Sequence, residues 1–195
     1  MRRHRSRTIA AVAVCLCSAA APLPAHADTR LHIRNPSFNL PAVEQTGTNY
    51  VNLGVNGNLA GWSITHGDID VYGRGFAKNP NGSQAVALNG VNSGTISQTL
   101  ETTPGVRVTV SWSQSPDTWT GCPAGYSQKY TAGVTADGFT TATFNPGSPN
   151  PAGNWTRASF SFVPNQDLTT LEFASVNGGG ACGPLITDVT AWAAQ

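Results

Sequence analysis

Apolar and polar residues alternate along much of this chain, and the three-to-four spacing of a helix is nearly absent. The clearest run is residues 106–112, where Val106, Val108, Val110 and Trp112 alternate with Arg107, Thr109 and Ser111. One apolar and one polar face is what an antiparallel strand buried on one side requires. Residues 159–163 set Phe160 and Phe162 on one face, and residues 69–72, 85–88, 95–100, 170–176 and 185–192 also read as strands. Trp112 and Trp192 fall on the apolar faces of their strands and are expected in the core with Trp62. Asn81-Gly82, Asn89-Gly90, Pro104-Gly105 and Asp137-Gly138 supply turns between the runs. Many short strands punctuated by Gly and Pro predict an all-β sandwich or jelly roll, with a barrel as the alternative. Three segments read as long loops: 39–59, 113–128, and 145–154, whose three prolines remove donors and fix φ.

A series of short phrases runs through these strands in a fixed order. It reads Gly61-Trp62, Gly67-Asp68-Ile69-Asp70, Ala87-Leu88-Asn89-Gly90, Gly94-Thr95-Ile96-Ser97-Gln98-Thr99, Pro104-Gly105, and Cys182-Gly183-Pro184 through Asp188-Val189. In this order the phrases resemble a secreted β-sandwich family known as domain of unknown function 642, which overlaps the bacterial choice-of-anchor C proteins. The resemblance covers about residues 35–192. It implies a galactose-binding-like jelly roll, favours that over the barrel, and suggests binding of carbohydrate or cell wall.

The N-terminus reads as an export signal. Arg2, Arg3, Arg5 and Arg7 precede an apolar stretch over residues 8–21, and Ala25-His26-Ala27 gives a small-x-small cleavage pattern. A signal peptide over 1–27 and a single domain over 28–195 are the expected organisation, with an extracellular destination. The apolar stretch is too short to span a bilayer and no later run is long enough, so no membrane span is expected. Lipid attachment at Cys15 or Cys17 is disfavoured by Val14 and Leu16, where a small residue belongs; Arg2-Arg3 alone hints weakly at the twin-arginine route. Cleavage would remove four of the eleven basic residues and none of the ten acidic ones. The remaining excess of acid, with no basic stripe, argues against nucleic acid or an anionic membrane as partner. Residues 28–195 hold two cysteines, Cys122 and Cys182. A disulfide is the expected state in an oxidising compartment; two free thiols or half a zinc site are the alternatives, and no histidine lies near either cysteine.

Candidate chemistry concentrates in two places. In residues 117–126, Trp119 and Tyr126 sit in a polar, Gly-rich loop outside any apolar alternation. An aromatic face stacks on the axial C–H groups of a sugar, while Asp117, Gln114 and Gln128 offer partners for its hydroxyls. A Cys122 link to residues 177–182 would pre-organise this loop and lower the ordering cost of binding. The competing reading makes Trp119 a loop anchor. Elsewhere His66, Asp68, Asp70 and Tyr72 share one face if residues 66–72 form one strand. Such a cluster fits a binding groove, or a two-carboxylate glycosidase using Asp68 and Asp70. The Gly-x-Ser-x-Gly elbow of a serine hydrolase is absent.

The family resemblance also implies a structural calcium near the first and last strands. Here Asn35-Pro36-Ser37-Phe38-Asn39 places a neutral Asn39 where the family has Glu, and Ile186-Thr187-Asp188-Val189 retains one carboxylate, Asp188, where the family has two. Asn39 and Asp188 therefore make at most a weak calcium site, and no other cofactor is expected. The sequence reading is a secreted, monomeric, non-catalytic binder of a polysaccharide or cell-wall glycan. The alternatives are a glycan-active hydrolase using Asp68 and Asp70, and a surface or matrix module that contacts proteins.

Overall fold

The structure is a computed structural model that describes residues 27–44, 47–126, 128–135, 140–147 and 154–195. The expected signal peptide (all but Ala27), the Asp137-Gly138 turn and most of the proline loop lie outside the described residues.

In chain order the elements are β1 (Thr29–Leu31), β2 (Tyr50–Gly54), β3 (Ser63–His66), β4 (Asp68–Tyr72), α1 (Arg74–Ala77), β5 (Ala85–Ala87), β6 (Thr95–Glu101), β7 (Val108–Ser115), β8 (Tyr130–Thr135), β9 (Thr140–Phe144), β10 (Thr156–Phe162), β11 (Leu168–Ser175) and β12 (Leu185–Ala193). They form an all-β, jelly-roll sandwich of two antiparallel sheets. The larger sheet runs β10-β7-β12-β5-β4-β2, with β1 also paired to β12; the smaller runs β3-β6-β11-β8-β9.

The alternation read from the sequence explains the packing. Val108, Val110 and Trp112 of β7 face inward beside Phe162, Phe160 and Ala158, their register partners on β10. Leu171 and Phe173 of β11 approach from the smaller sheet, and the Trp112 and Phe173 rings meet edge-on at 5.1 Å. Trp112 is wholly buried, and its Nε1–H donates to the Tyr130 hydroxyl at 2.6 Å. That hydroxyl in turn donates to Gln114 Oε1 at 2.5 Å, so the largest core side chain leaves no polar atom without a partner.

Three sequence expectations are corrected here. Trp192 is 40% exposed rather than in the core. A bulge in β12 between Thr187 and Thr190 adds one residue, so Ile186, Val189 and Ala191 point inward and the phase of alternation flips before Trp192. Residues 39–59 are not loop throughout, because β2 forms within them and pairs along β4 from Tyr50↔Tyr72 to Gly54↔Asp68. Residues 66–72 are not one strand. Gly67 turns the chain at φ +59°, leaving His66 on β3 of the smaller sheet while Asp68 begins β4 of the larger. Only glycine fits at that turn, since a Cβ there would stand 1.9 Å from Ser93 O.

Candidate functional site

β4 separates two environments. Ile69 and Val71 enter the main core, while Asp68, Asp70 and Tyr72 project from the opposite, outer face of the larger sheet. On that outer face lies a second, smaller apolar cluster of Tyr72, Phe76, Ala77, Ala85, Ala87 and Leu185. Ala85 and Ala87 keep the sheet surface low, and the chain roofs it with α1 and with the loops around residues 116–126 and 177–184. Thr118 Oγ1 donates to Phe76 O at 2.5 Å, tying the 116–126 loop to α1, and Trp155 Nε1–H, just ahead of β10, donates to Ala77 O at 3.1 Å. Cys122 and Cys182 are bonded, with Cα atoms 5.6 Å apart, and join the two loops.

The roof leaves a pocket of about 150 Å³ lined by Tyr50, Asp70, Tyr72, Phe76, Trp119 and Ala181. The Tyr72 and Phe76 rings stack at 3.9 Å with 5° between planes, and Tyr50 meets each at 6.2 Å. Tyr50 and Trp119 are 54% and 42% exposed, so they stand at the mouth. Trp119 is held from below and beside. Its N–H donates to Asp117 Oδ1 at 2.8 Å, and Gly121 lies so close to the indole that a Cβ there would stand 2.4 Å from Cζ2.

Three carboxylates near the pocket differ in what they can do. Asp70 is buried yet lines the pocket; burial pushes its pKa up to about 6, with the Asn52 hydrogen bond at 2.8 Å opposing and the Asp68 charge adding. Asp117 is wholly buried behind Tyr72, whose hydroxyl donates to its two oxygens at 3.2 and 3.3 Å. Burial pushes Asp117 up to about 7, against hydrogen bonds from Trp119 N–H, the Tyr72 hydroxyl and Gly183 N–H. Burial also raises the Tyr72 hydroxyl far above its ordinary range, so it remains a donor.

Asp68 behaves oppositely. Burial works against its charge, but hydrogen bonds from Asn92, Val91 and Asn52 outweigh that and hold it below the usual carboxylate range. Asn92 Nδ2 donates at 2.7 Å, Asn92 N–H at 3.2 Å, and Val91 N–H donates as well. A Cβ on Gly90 would stand 2.1 Å from Asp68 Oδ1, so the carboxylate fits only because residue 90 is glycine. Asp68 is therefore the anchor of the turn at residues 89–92. Asn52 Nδ2 reaches both Asp68 Oδ1 (3.3 Å) and Asp70 Oδ1 (2.8 Å), so the pair stands side by side on one face. Glycoside hydrolysis by two carboxylates needs them on opposite sides of a bond, which this pair does not provide.

The predicted residues thus divide. Trp119 and Asp70 meet in one pocket. Asp117 is sealed behind it instead of exposed to a ligand, because Gln128 Oε1 accepts from its N–H at 2.6 Å and draws the loop inward. Tyr126 is half-buried and lies outside the pocket, in a turn closed by its N–H to Pro123 O at 3.2 Å. His66 is exposed on the other sheet. Gln128 is buried, and Gln114 is engaged with Tyr130. Sequence reasoning missed Tyr50 and Phe76. Tyr50 takes its place by pairing with Tyr72, and nothing local marks Phe76, which sits in a four-residue helix.

At the other candidate position the β12 bulge holds Asp188 at φ +53°. Its carboxylate accepts from Ser37 Oγ (2.7 Å), Ser83 Oγ (2.9 Å), Asn81 Nδ2 (3.0 Å) and Asn79 Nδ2 (3.2 Å). Burial opposes the charge, but these bonds hold it below the usual range. Asn39 is turned elsewhere, its Oδ1 accepting from Gln84 N–H at 3.4 Å. Calcium takes six to eight oxygens, and one carboxylate already surrounded by four neutral donors fits that poorly.

The fold and site together define a β-sandwich module whose larger sheet carries a disulfide-pinned roof over an aromatic pocket. The chain belongs to the family described as "Protein of unknown function (DUF642)", which matches residues 31–191. No curated protein matches it. Among solved structures it is similar to one described as "CBM4 structure and function", at 13% identity, TM-score 0.46, covering 83% of this chain and 99% of that one. It is also similar to TmCBM61 in complex with beta-1,4-galactotriose, at 15% identity and TM-score 0.45, covering 85% and 99%. A third is the CBM22-1 xylan-binding domain from Paenibacillus barcinonensis Xyn10C, at 11% identity and TM-score 0.47, covering 78% and 99%. Among the described residues no helix is long and apolar enough to cross a membrane.

Proposed function

We propose that the chain is an exported, non-catalytic carbohydrate-binding protein whose site is the pocket between Tyr50 and Trp119. The observation that carries this reading is the pairing of exposed aromatic walls with one carboxylate, Asp70, at the same opening. Aromatic faces receive the apolar face of a sugar ring, and a carboxylate accepts from its hydroxyls. A pocket of about 150 Å³ is smaller than the roughly 300–1,000 Å³ of sites for drug-sized ligands, which suits one ring or the end of a glycan. With Asp68 committed to a turn and Asp117 sealed, a single carboxylate faces the ligand, which supports binding over hydrolysis. The partner is a polysaccharide or wall glycan, the protein acts as a monomer, and it is secreted after cleavage behind Ala27. Asp188 already accepts from two hydroxyl and two amide donors, which supports a domain that folds without calcium.

The test is a glycan array probed with the wild type, Trp119→Ala and Trp112→Ala. Loss of an aromatic anchor is worth on the order of 1–3 kcal/mol, so Trp119→Ala should lose about ten- to hundredfold in affinity while melting near the wild type. Trp112→Ala should destabilise the domain by about 3–5 kcal/mol, as removal of a buried aromatic does. Unchanged binding by a folded Trp119→Ala overturns the site.

A further inference from the structure

Residues 28–195 carry seven Lys and Arg against ten Asp and Glu, and two of the seven, Arg30 and Arg34, stand on one short segment. Arg30, His32 and Arg34 are exposed and alternate with Leu31 and Ile33, which pack into the main core. The segment leaves β1 on the larger sheet and crosses to β6 of the smaller. There Gln98 clasps its backbone, accepting from Arg34 N–H at 2.7 Å and donating to Arg34 O at 3.0 Å. The main chain is fixed while the Arg34 guanidinium stays outside. The Arg30 guanidinium lies 6.0 Å from the centre of the exposed Trp192 ring, a cation–π distance that orients it. Among the described residues neither guanidinium forms an ion pair.

Beside this segment runs a groove of about 600 Å³ lined by Arg30, His32, Arg34, Thr99, Glu101 and Leu168. It shares no residue with the Tyr50–Trp119 pocket. Glu101 is its one acidic lining group, and Leu168, 59% exposed, adds an apolar surface.

We propose that this groove is a second binding site, for an anionic polysaccharide whose carboxylates pair with Arg30 and Arg34. A guanidinium matches a carboxylate with two parallel hydrogen bonds. Arg30 and Arg34 are four positions apart, about 13 Å along an extended segment, a span that a polymer bearing one charge per sugar ring covers in two or three rings. Nucleic acid carries a charge about every 1.7 Å, a density that two guanidinia cannot match. The exposed Leu168 beside the cations offers a surface for the apolar face of a sugar, which a bare polyanion does not need.

Native affinity electrophoresis of the full chain tests this with polygalacturonate, its fully methyl-esterified neutral form, and poly-L-glutamate. Polygalacturonate should retard the protein at low ionic strength and lose its effect in high salt, and the neutral polymer should not retard it. Arg30→Gln/Arg34→Gln should weaken retardation at least tenfold. Arg34→Gln alone, which keeps the Gln98 clasp and the Arg30–Trp192 contact, should weaken it at least threefold. Lys129→Gln/Arg157→Gln removes the same charge elsewhere and should change it less than twofold. The proposal is overturned by absence of retardation at low salt, by equal retardation with poly-L-glutamate, or by equal loss in the Lys129/Arg157 pair. A folded Arg34→Gln that behaves as the wild type also overturns it. These outcomes are independent of Trp119, so failure here leaves the aromatic pocket standing.

Discussion

Replacing Asp117 with Asn isolates the electrostatic consequence of roofing the sheet. Asp117 is wholly buried, and burial raises its folded-state pKa to about 7 from an ordinary 3.8. The folded chain therefore holds a proton that the unfolded chain has released, and stability falls as pH rises from near 4 through 7. Between pH 6 and pH 8 a group with those two values removes about 1.4 kcal/mol of stability. Asn keeps a carbonyl oxygen that can accept from Trp119 N–H and the Tyr72 hydroxyl, so Asp117→Asn loses the titration with little loss of contacts. Asp70, raised to about 6, remains in both proteins, so its own titration largely cancels in the comparison, leaving only its weaker repulsion of the Asp117 charge. Urea unfolding at pH 6 and pH 8 should show the wild type losing about 1.4 kcal/mol more than Asp117→Asn across that interval. Equal losses in the two proteins would refute the reasoning, as would a wild type that gains stability towards pH 8.

Further outcomes follow from particular contacts. Gly121→Ala should weaken glycan binding about tenfold with little change in melting temperature, because the new methyl displaces the Trp119 ring from an exposed loop; titration calorimetry beside a thermal melt checks both halves. Reduction of Cys122–Cys182 should lower the melting temperature, consistent with about 4 kcal/mol for a loop closed over 60 residues, while far-UV circular dichroism keeps its β signature. Two free thiols in a non-reduced peptide map would contradict the bond. Chelator should shift the melting curve by less than about 1 °C, since Asp188 is stabilised by Ser37, Asn79, Asn81 and Ser83; a loss of several degrees would show an ion in that cluster.

The sandwich was legible wherever period-two alternation was unbroken, as in β7, where Val108, Val110 and Trp112 announce their face directly. It was illegible where one residue resets the phase. The bulge in β12 adds a residue that no side-chain pattern marks, and it carried Trp192 from the expected core to the surface. Gly67 likewise divides what reads as one strand into two sheets, which separated His66 from Asp68. Trp119 was recognisable as a loop aromatic without a place in any apolar face. Tyr50 was not, because the Asn and Gly around it read as loop and its meaning depends on pairing with Tyr72, distant in sequence. Asp117 shows the limit of composition: a carboxylate in a polar loop reads as exposed until Gln128 and Tyr72 close over it.

The two faces of β4 place different demands on the same five residues. Ile69 and Val71 are constrained by the main core and Tyr72 by the smaller apolar cluster, whereas Asp70 is held from the sheet by the Asn52 hydrogen bond and otherwise faces the pocket. Mutational drift at 70, or in the loops around 119 and 181, can therefore reshape what the pocket accepts while the strand keeps its place in the sheet. Such a division lets a lineage diversify its ligands on a constant scaffold. It also predicts that relatives diverge at Tyr50, Asp70 and Trp119 faster than at Ile69, Val71 and Trp112.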